Sequence, residues 1–580
     1  MDNMQPVYTE TNNCQDCYKC IRECPVKAIK IESDRASIVK DLCIFCGHCT
    51  LICPSGAKKV RDDVSRVKRM LRREMPVYIS LAPSFVAEFS DFTPEALVAG
   101  LKSLGFSGVS ETALGAELVT ANTAAFLKEA GPGVYISTAC PAAVDYIRKY
   151  KPELAKCLVG LQSPLMAHAA LLRRWFGEDI RVVFIGPCVA KKTESDDFPS
   201  LIDAALTFND LRHWFEEEGI MPELLNATEN GEFIPGRASD GALYPLDGGM
   251  ISTLKHSAES DGINYMHISG IENMKTALAG IDAQYNDSRL FLELLVCEGG
   301  CINGPGTSAK GGTIMKNLSI GQYRNSPKKS LGAQEFPGGI PDIRTAYCIV
   351  SQPGKSNPWG EDDIQEALKT AGKNTKSDEL NCGGCGYNSC RDFALAMLNG
   401  MAERQMCVSY MRRVASDKAS VLLQRMPYGV VLVDDRLHVI ESNRKFADMI
   451  GNDAVLLWDV RPGLQGADMR KLIGFHKVFS NVLSSGNDLI DRNAEENGRL
   501  FNLSVFTIQR HRIICGVIQD LHQPGLMQEE VMRRIHQVVH ENMGTVQKVA
   551  YLLGENAART ETMLNALINN PVMETSGEKG

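Results

Sequence analysis

The chain has 580 residues, 44% hydrophobic and 23% charged, with a formal net charge of -8. That length exceeds a single core and predicts several domains, and the acidic balance argues against nucleic acid, whose partners carry basic stripes. Residues 1–10 are polar and acidic, and no run of about 18 apolar residues follows, so the expectation is a cytoplasmic protein with no membrane partner.

Cysteine is the informative residue. Of 19, sixteen fall into four groups of four, while Cys157, Cys348 and Cys515 stand alone and read as small buried apolar residues. In a large chain read without a secretion signal, clustered cysteines predict metal rather than disulfides. Cys14, Cys17, Cys20 and Cys24 form C-x2-C-x2-C-x3-C-P, and Cys43, Cys46, Cys49 and Cys53 repeat it. This is the bacterial two-cluster ferredoxin run, in which the fourth Cys of each run ligates the other cluster. One [4Fe-4S] cluster is therefore expected on Cys14, Cys17, Cys20 and Cys53, the other on Cys43, Cys46, Cys49 and Cys24. Zinc would call for two C-x2-C pairs, not interleaved triplets with a trailing Cys-Pro. Residues 1–75 are read as an electron wire.

Residues 76–345 alternate apolar strands, as at 77–81 and 181–185, with helical stretches such as 93–104, an α/β pattern. Four widely separated cysteines lie in it: Cys140, Cys188, Cys297 and Cys301. Cys140 and Cys188 each follow a strand-like run, and strand ends are where α/β proteins place sites.

Three motifs here are specific. Ser137, Thr138, Ala139, Cys140 and Pro141 resemble the first signature of iron-only [FeFe] hydrogenases. Residues 186–194, from Gly186 and Cys188 through Lys191 to Glu194, resemble the second, and residues 293–304, around Cys297 and Cys301, the third. The resemblance covers residues 1–345. It implies an H-cluster, with a cubane on Cys140, Cys188, Cys297 and Cys301, and Cys301 bridging to a [2Fe] subcluster that carries CO, cyanide and azadithiolate. Thiolates are soft anionic ligands suited to iron–sulfur chemistry. The resemblance further implies that Lys191 hydrogen-bonds a cyanide and that Ala82, Pro83 and Ser84 line the two-iron site.

The departures carry equal weight. Catalytic members place a proton-shuttling Cys where this chain has Ala139. Their methionines near the cluster are replaced by Gly186 and Leu295, and the Gln closing the third signature by Thr307. The helix that carries glutamates in those members corresponds to residues 115–128, which offer Asn122, Thr123 and Phe126. Proton transfer needs groups of suitable pKa, and Ala and Phe have none. The expectation is a cluster cradle without its proton relay.

Residues 324–341 read as a linker or surface loop. Beyond them Cys382, Cys385 and Cys390, in C-x2-C-x4-C, with Cys407 on a following helix, resemble the small four-iron domain of carbon monoxide dehydrogenase complexes and sensory hydrogenases (residues 346–415); zinc is the alternative. A helix is expected over 391–424. Residues 416–523 resemble a PAS domain, with strand–turn–strand from Pro427, then Asn443 and a helix, and closing strands around Phe501, Leu503 and Val505 and at 513–521. His438 and His476 raise a haem reading, against which a lone His is more often structural. In residues 524–580, Val531, Ile535 and Val538 share a face, and Val546, Val549, Leu553, Ala557, Thr560, Leu564 and Leu567 continue it as a heptad-like stripe expected to pair two chains. His540 is faintly like a phosphoacceptor.

The fold class is thus multidomain α/β and α+β, with five segments: a two-cluster ferredoxin domain, an α/β H-cluster domain, a small four-iron domain, a PAS domain and a C-terminal helical segment. The function read from it is a hydrogen-sensing [FeFe] hydrogenase of low activity. Its implied partners are H2, a redox protein such as ferredoxin, a second copy of the chain, and a signalling phosphatase or kinase. A bidirectional catalytic hydrogenase and an electron-transfer scaffold with an unfilled H-cluster site are the alternatives.

Overall fold

The computed structural model describes residues 5–521 apart from 222–230, 258–261, 283, 286, 310, 327–340, 348, 353–357 and 497. The C-terminal stripe, His540 and Cys348 lie outside these. The chain divides into two units, residues 1–407 and 408–580.

The first unit begins with the cysteine runs. Strand β1 (Val7–Thr9) pairs antiparallel with β4 (Lys58–Val60), and β2 (Ile29–Glu32) with β3 (Arg35–Ile38). The short helices Lys19–Arg22 and His48–Ile52 carry the third cysteine of each run. After them come two parallel sheets. One has four strands in the order β6-β5-β8-β9 (β5 Val77–Leu81, β6 Gly108–Glu111, β8 Arg181–Gly186, β9 Ala204–Thr207). The other has three, β10-β11-β7 (β7 Gly133–Ile136, β10 Ile263–Ser269, β11 Arg289–Leu295). The four-stranded sheet is covered by apolar side chains on both faces, which is why β5, β8 and β9 read as continuous apolar runs rather than alternating ones. Ile44 and Phe45 of the second cysteine run share a core with Ile136, Ile147 and Leu292, so the N-terminal segment is packed onto the three-stranded sheet.

The helix expected over 93–104 runs Pro94–Ser103, with Thr93 as its N-cap accepting from the Ala96 N–H. Two expectations need correction. Arg324 belongs to the helix Thr313–Asn325 rather than to a linker, and its guanidinium is anchored on Asp240. The helix expected over 391–424 is two, Cys390–Leu398 and Val408–Arg425. The first ends because Gly400 turns into the left-handed region (φ +67°), and the Met401 N–H closes back on the Ala396 carbonyl at 2.8 Å. Cys407 therefore stands in the connection between the helices.

The second unit holds one five-stranded antiparallel sheet in the order β13-β12-β16-β15-β14 (β12 Gly429–Asp434, β13 Val439–Ser442, β14 Leu489–Glu496, β15 Arg499–Gln509, β16 Ile513–Asp520). The alternation of Phe501, Leu503 and Val505 places all three in its core. Helices such as Arg444–Ile450 and His476–Ser485 fill the connection between β13 and β14. Among the described residues, no helix is long and apolar enough to cross a membrane.

Candidate metal centre

The parallel strands bring three separate segments to one place. Cys140 follows β7, Cys188 follows β8 and Cys297 follows β11, all at carboxyl ends, as the strand-end rule for α/β sheets requires. Cys140, Cys188, Cys297 and Cys301 line a single pocket with Pro187, Leu295 and Cys46. Two of the cysteines stand against helix starts. Cys140 is the N-cap of helix Pro141–Tyr150 and faces the N–H groups of Ala142 and Ala143, and Cys188 faces those of Ala190 and Lys191. Such N–H groups favour an anion there.

Burial works the other way on the bare thiols. It pushes Cys188 up to about 12, and it raises Cys140, Cys297 and Cys301. Burial thus keeps the bare thiols protonated, and iron, bound there, would deprotonate them and hold the thiolates.

The third motif shapes the cradle through its glycines. Gly300 has φ +97°, and a Cβ there would stand 2.3 Å from the Pro245 carbonyl oxygen. A Cβ on Gly304 would stand 2.6 Å from the Pro187 carbonyl. Only bare backbone brings Cys301 up to the Cys188 loop.

Ala82, Pro83 and Ser84 are buried after β5, and the Ser84 hydroxyl has no hydrogen-bond partner. An orphaned hydroxyl at this place fits a group seated against it. The segment touches the second motif: a Cβ on Gly186 would meet Ala82 Cβ at 2.7 Å and the Phe184 ring at 2.3 Å. Phe184 thus occupies the room that a side chain at position 186 would need.

Lys191 is buried, and its ammonium lowers the pull-up on Cys140, Cys188 and Cys301. Nζ donates to Glu194 Oε2 at 2.7 Å and Ser163 Oγ at 2.9 Å, and the Ser163 hydroxyl donates to the same carboxylate at 2.9 Å. The motif reading singled out Lys191 but not these two anchors. Glu194 stands three residues on, one helical turn away, and that spacing was the available signal.

Around position 139 the observed groups are a hydroxyl, a thioether and apolar side chains. The Ala139 N–H donates to Ser137 Oγ at 3.2 Å, and that hydroxyl donates to Met250 Sδ at 3.1 Å. Ala139 lies against the same apolar core as Phe126 and Tyr135. Asn122 and Thr123 spend their donors on the Leu118 and Val119 carbonyls. The helix Thr112–Glu129 nevertheless carries a buried acid that the reading of residues 115–128 passed over. Glu117 Oε1 accepts from the N–H groups of Ser239 (2.5 Å) and Gly241 (3.3 Å), while Oε2 has no partner; burial raises its pKa to about 7. Glu293, in β11, is raised by burial to about 7 as well, with the Met250 and Ile251 N–H groups on its carboxylate.

In the N-terminal runs the thiols fall into two sets. Cys20 feels Cys17, Cys14 and Cys53; Cys49 feels Cys46, Cys43 and Cys24. The buried Lys58 ammonium faces both sets, offsetting their charge. Cys46 in turn feels Cys140 across the cavity. Farther along, Cys385 feels Cys407 and Cys382, and the Asn381 N–H lies 3.4 Å from Cys390 Sγ.

Three family matches accompany this geometry: iron only hydrogenase large subunit, C-terminal domain, over residues 75–305; a 4Fe-4S dicluster domain over 13–58; and an Fe-S cluster family over 378–409. Iron hydrogenase 1 of Clostridium pasteurianum is 24% identical over 328 residues, 47% of this chain and 57% of the relative. The periplasmic [Fe] hydrogenase large subunit of Nitratidesulfovibrio vulgaris is 23% identical over 313 residues, 45% of this chain and 73% of the relative. The chain thus spans little more than half the length of the first of these. Among solved structures, an apo variant of the [FeFe]-hydrogenase HydA1 from Chlamydomonas reinhardtii is 21% identical, with 48% of this chain and 92% of that one covered and a TM-score of 0.38.

Proposed function

Because this chain belongs, through residues 13–58 and 75–305, to the iron-only [FeFe] hydrogenase family with its iron–sulfur domains, we propose that it is a hydrogen-sensing member. It would bind H2 and interconvert it slowly with protons and electrons. The observation that carries this reading is the pairing of a complete four-cysteine cradle with Ala139 at the relay position. When bound, the H-cluster supplies heterolytic cleavage of H2, and the cubanes carry the electrons away. The chain's own part would be to hold the cluster on Cys140, Cys188, Cys297 and Cys301. Lys191, fixed by Glu194 and Ser163, sets a positive charge beside it, and Ser84 offers a free hydroxyl. A methyl group at position 139 holds no proton, so turnover is slow while binding is untouched. The unit of residues 408–580 would read the redox state. Its antiparallel order β13-β12-β16-β15-β14, with helices between β13 and β14, supports a PAS module. Sixteen cysteines would carry four cubanes in all, and the acidic chain would work in the cytoplasm with an electron-carrier protein.

The test is infrared spectroscopy of the matured protein beside dye-linked hydrogen uptake. Bound CO and cyanide bands that respond to hydrogen, with low uptake, are the expected result. Uptake as fast as a catalytic hydrogenase would return the protein to the bidirectional class. Absent CO and cyanide bands after maturation would favour the scaffold.

A further inference from the structure

The small domain of residues 378–407 is docked on the N-terminal cysteine runs. The Ile31 N–H donates to the Met401 carbonyl at 3.0 Å, and the Ser33 N–H to Glu403 Oε1 at 2.9 Å. Gly386 makes the closest approach. Its φ is +94°, and a Cβ there would stand 2.9 Å from Ile21 Cγ2 and 3.3 Å from the Arg22 nitrogen. Beside it, Tyr387 is 5% exposed, and its hydroxyl is a buried polar atom with no hydrogen-bond partner. The phenol lies within electrostatic reach of two thiols from different sets, Cys385 of its own loop and Cys24 of the first run. A buried O–H left unpaired is destabilising, and thiolate or sulfide acceptors are what its two neighbours would supply once iron is present. The set that contains Cys24 also faces the cavity of Cys140 and Cys297 through Cys46.

We propose that the cluster on Cys43, Cys46, Cys49 and Cys24 is a branch point, joined on its far side to the cluster on Cys382, Cys385, Cys390 and Cys407 by Tyr387, whose O–H donates to a sulfur of one of them. Tyr387 is a positioning and tuning residue. The step is a one-electron exchange: the branch-point cluster is oxidised by one electron, the outer cluster is reduced by one, and no proton moves. Hydrogen bonds to cluster sulfur are one of the levers on potential; this one stabilises the reduced, more negative state of the cluster that accepts it.

The inference rests on the cluster load of the function proposed above, not on hydrogen sensing. Its test uses the full chain, reconstituted anaerobically with iron and sulfide and titrated under electron paramagnetic resonance, without the two-iron unit or hydrogen. A protein that proves insensitive to hydrogen leaves it standing. Fully reduced protein is expected to show spin–spin broadening beyond that of the two N-terminal clusters with each other, and Cys385→Ala is expected to remove that excess while the N-terminal clusters remain. Tyr387→Phe is expected to keep its iron, keep the broadening and shift one midpoint to lower potential. Gly386→Val, which drives a side chain into Ile21, is expected to lose that excess. Unchanged midpoints in Tyr387→Phe, or loss of the outer cluster's iron in that variant, overturn the tuning role. A spectrum of the N-terminal clusters indifferent to Cys385→Ala overturns the junction.

Discussion

Glu117 is the residue whose burial is easiest to measure. Desolvation raises its pKa from 4.5 to about 7. An acid whose pKa is higher folded than unfolded favours the fold below its unfolded pKa, and that contribution is lost as pH rises through the folded one. Stability should therefore fall between about pH 4.5 and 7 and stay lower above, by about 3 kcal/mol at most from this residue. Glu117→Gln keeps the Oε1 acceptor for Ser239 and Gly241. The variant should lose less Tm than the parent between pH 5 and pH 8, and an equal loss in both would assign the slope to other groups. At position 139 the prediction concerns rate. A positioned proton-transfer group is worth about 10²–10⁴-fold, so Ala139→Cys should raise dye-linked hydrogen uptake of the matured protein. The gain should fall short of the full factor, because Asn122 and Thr123 are tied to backbone carbonyls.

Elements place these residues, and two of them can be broken by single changes. The loop that follows β11 reaches the cavity only because Gly300 holds a left-handed backbone against the Pro245 carbonyl. Gly300→Ala should displace Cys301 and cost the protein about four irons on reconstitution; full iron content would mean that the loop can shift. In the second unit Asn443 ties three elements together. Its Oδ1 accepts from the Val430 (2.8 Å) and Phe446 (3.0 Å) N–H groups, and Nδ2 donates to the Leu423 (2.9 Å) and Tyr428 (2.7 Å) carbonyls. Asn443→Ala removes an N-cap and orphans buried partners, so a loss of about 2–4 kcal/mol is expected in the unfolding transition of this unit. A change under about 0.5 kcal/mol would show that water replaces the amide.

At the scale of the molecule the prediction is one of cofactor load. Four sets of four cysteines should take up about sixteen cubane irons with matching sulfide in anaerobic reconstitution. A stable zinc at Cys382, Cys385, Cys390 and Cys407 would reduce that to about twelve. Assembly is the second question at this scale, and it turns on residues 524–580, outside the described structure. Light scattering of the full chain should give twice the chain mass, and deletion of 524–580 should weaken the pairing.

Local spacing carried the metal chemistry. Three thiols within a few residues are legible as a cubane-binding pattern wherever the chain goes, as at Cys14, Cys17 and Cys20, whereas the widely separated Cys140, Cys188, Cys297 and Cys301 are legible only through their resemblance to family signatures. Apolar runs likewise announced β5 and β8, because a strand buried on both faces has no polar positions to hide. What tertiary structure alone decided is where distant segments meet. Glu194 and Ser163 close on Lys191 from two elements. Glu117 is buried by N–H groups of residues 239 and 241, and Phe184 fills the space beside Gly186. The docking of Gly386 and Tyr387 on the loop of Cys24 joins positions more than 360 residues apart. Sequence periodicity reports which face of an element is apolar and says nothing of which other face it meets; burial, and with it the pKa of an acid or the solitude of a hydroxyl, is set by that meeting.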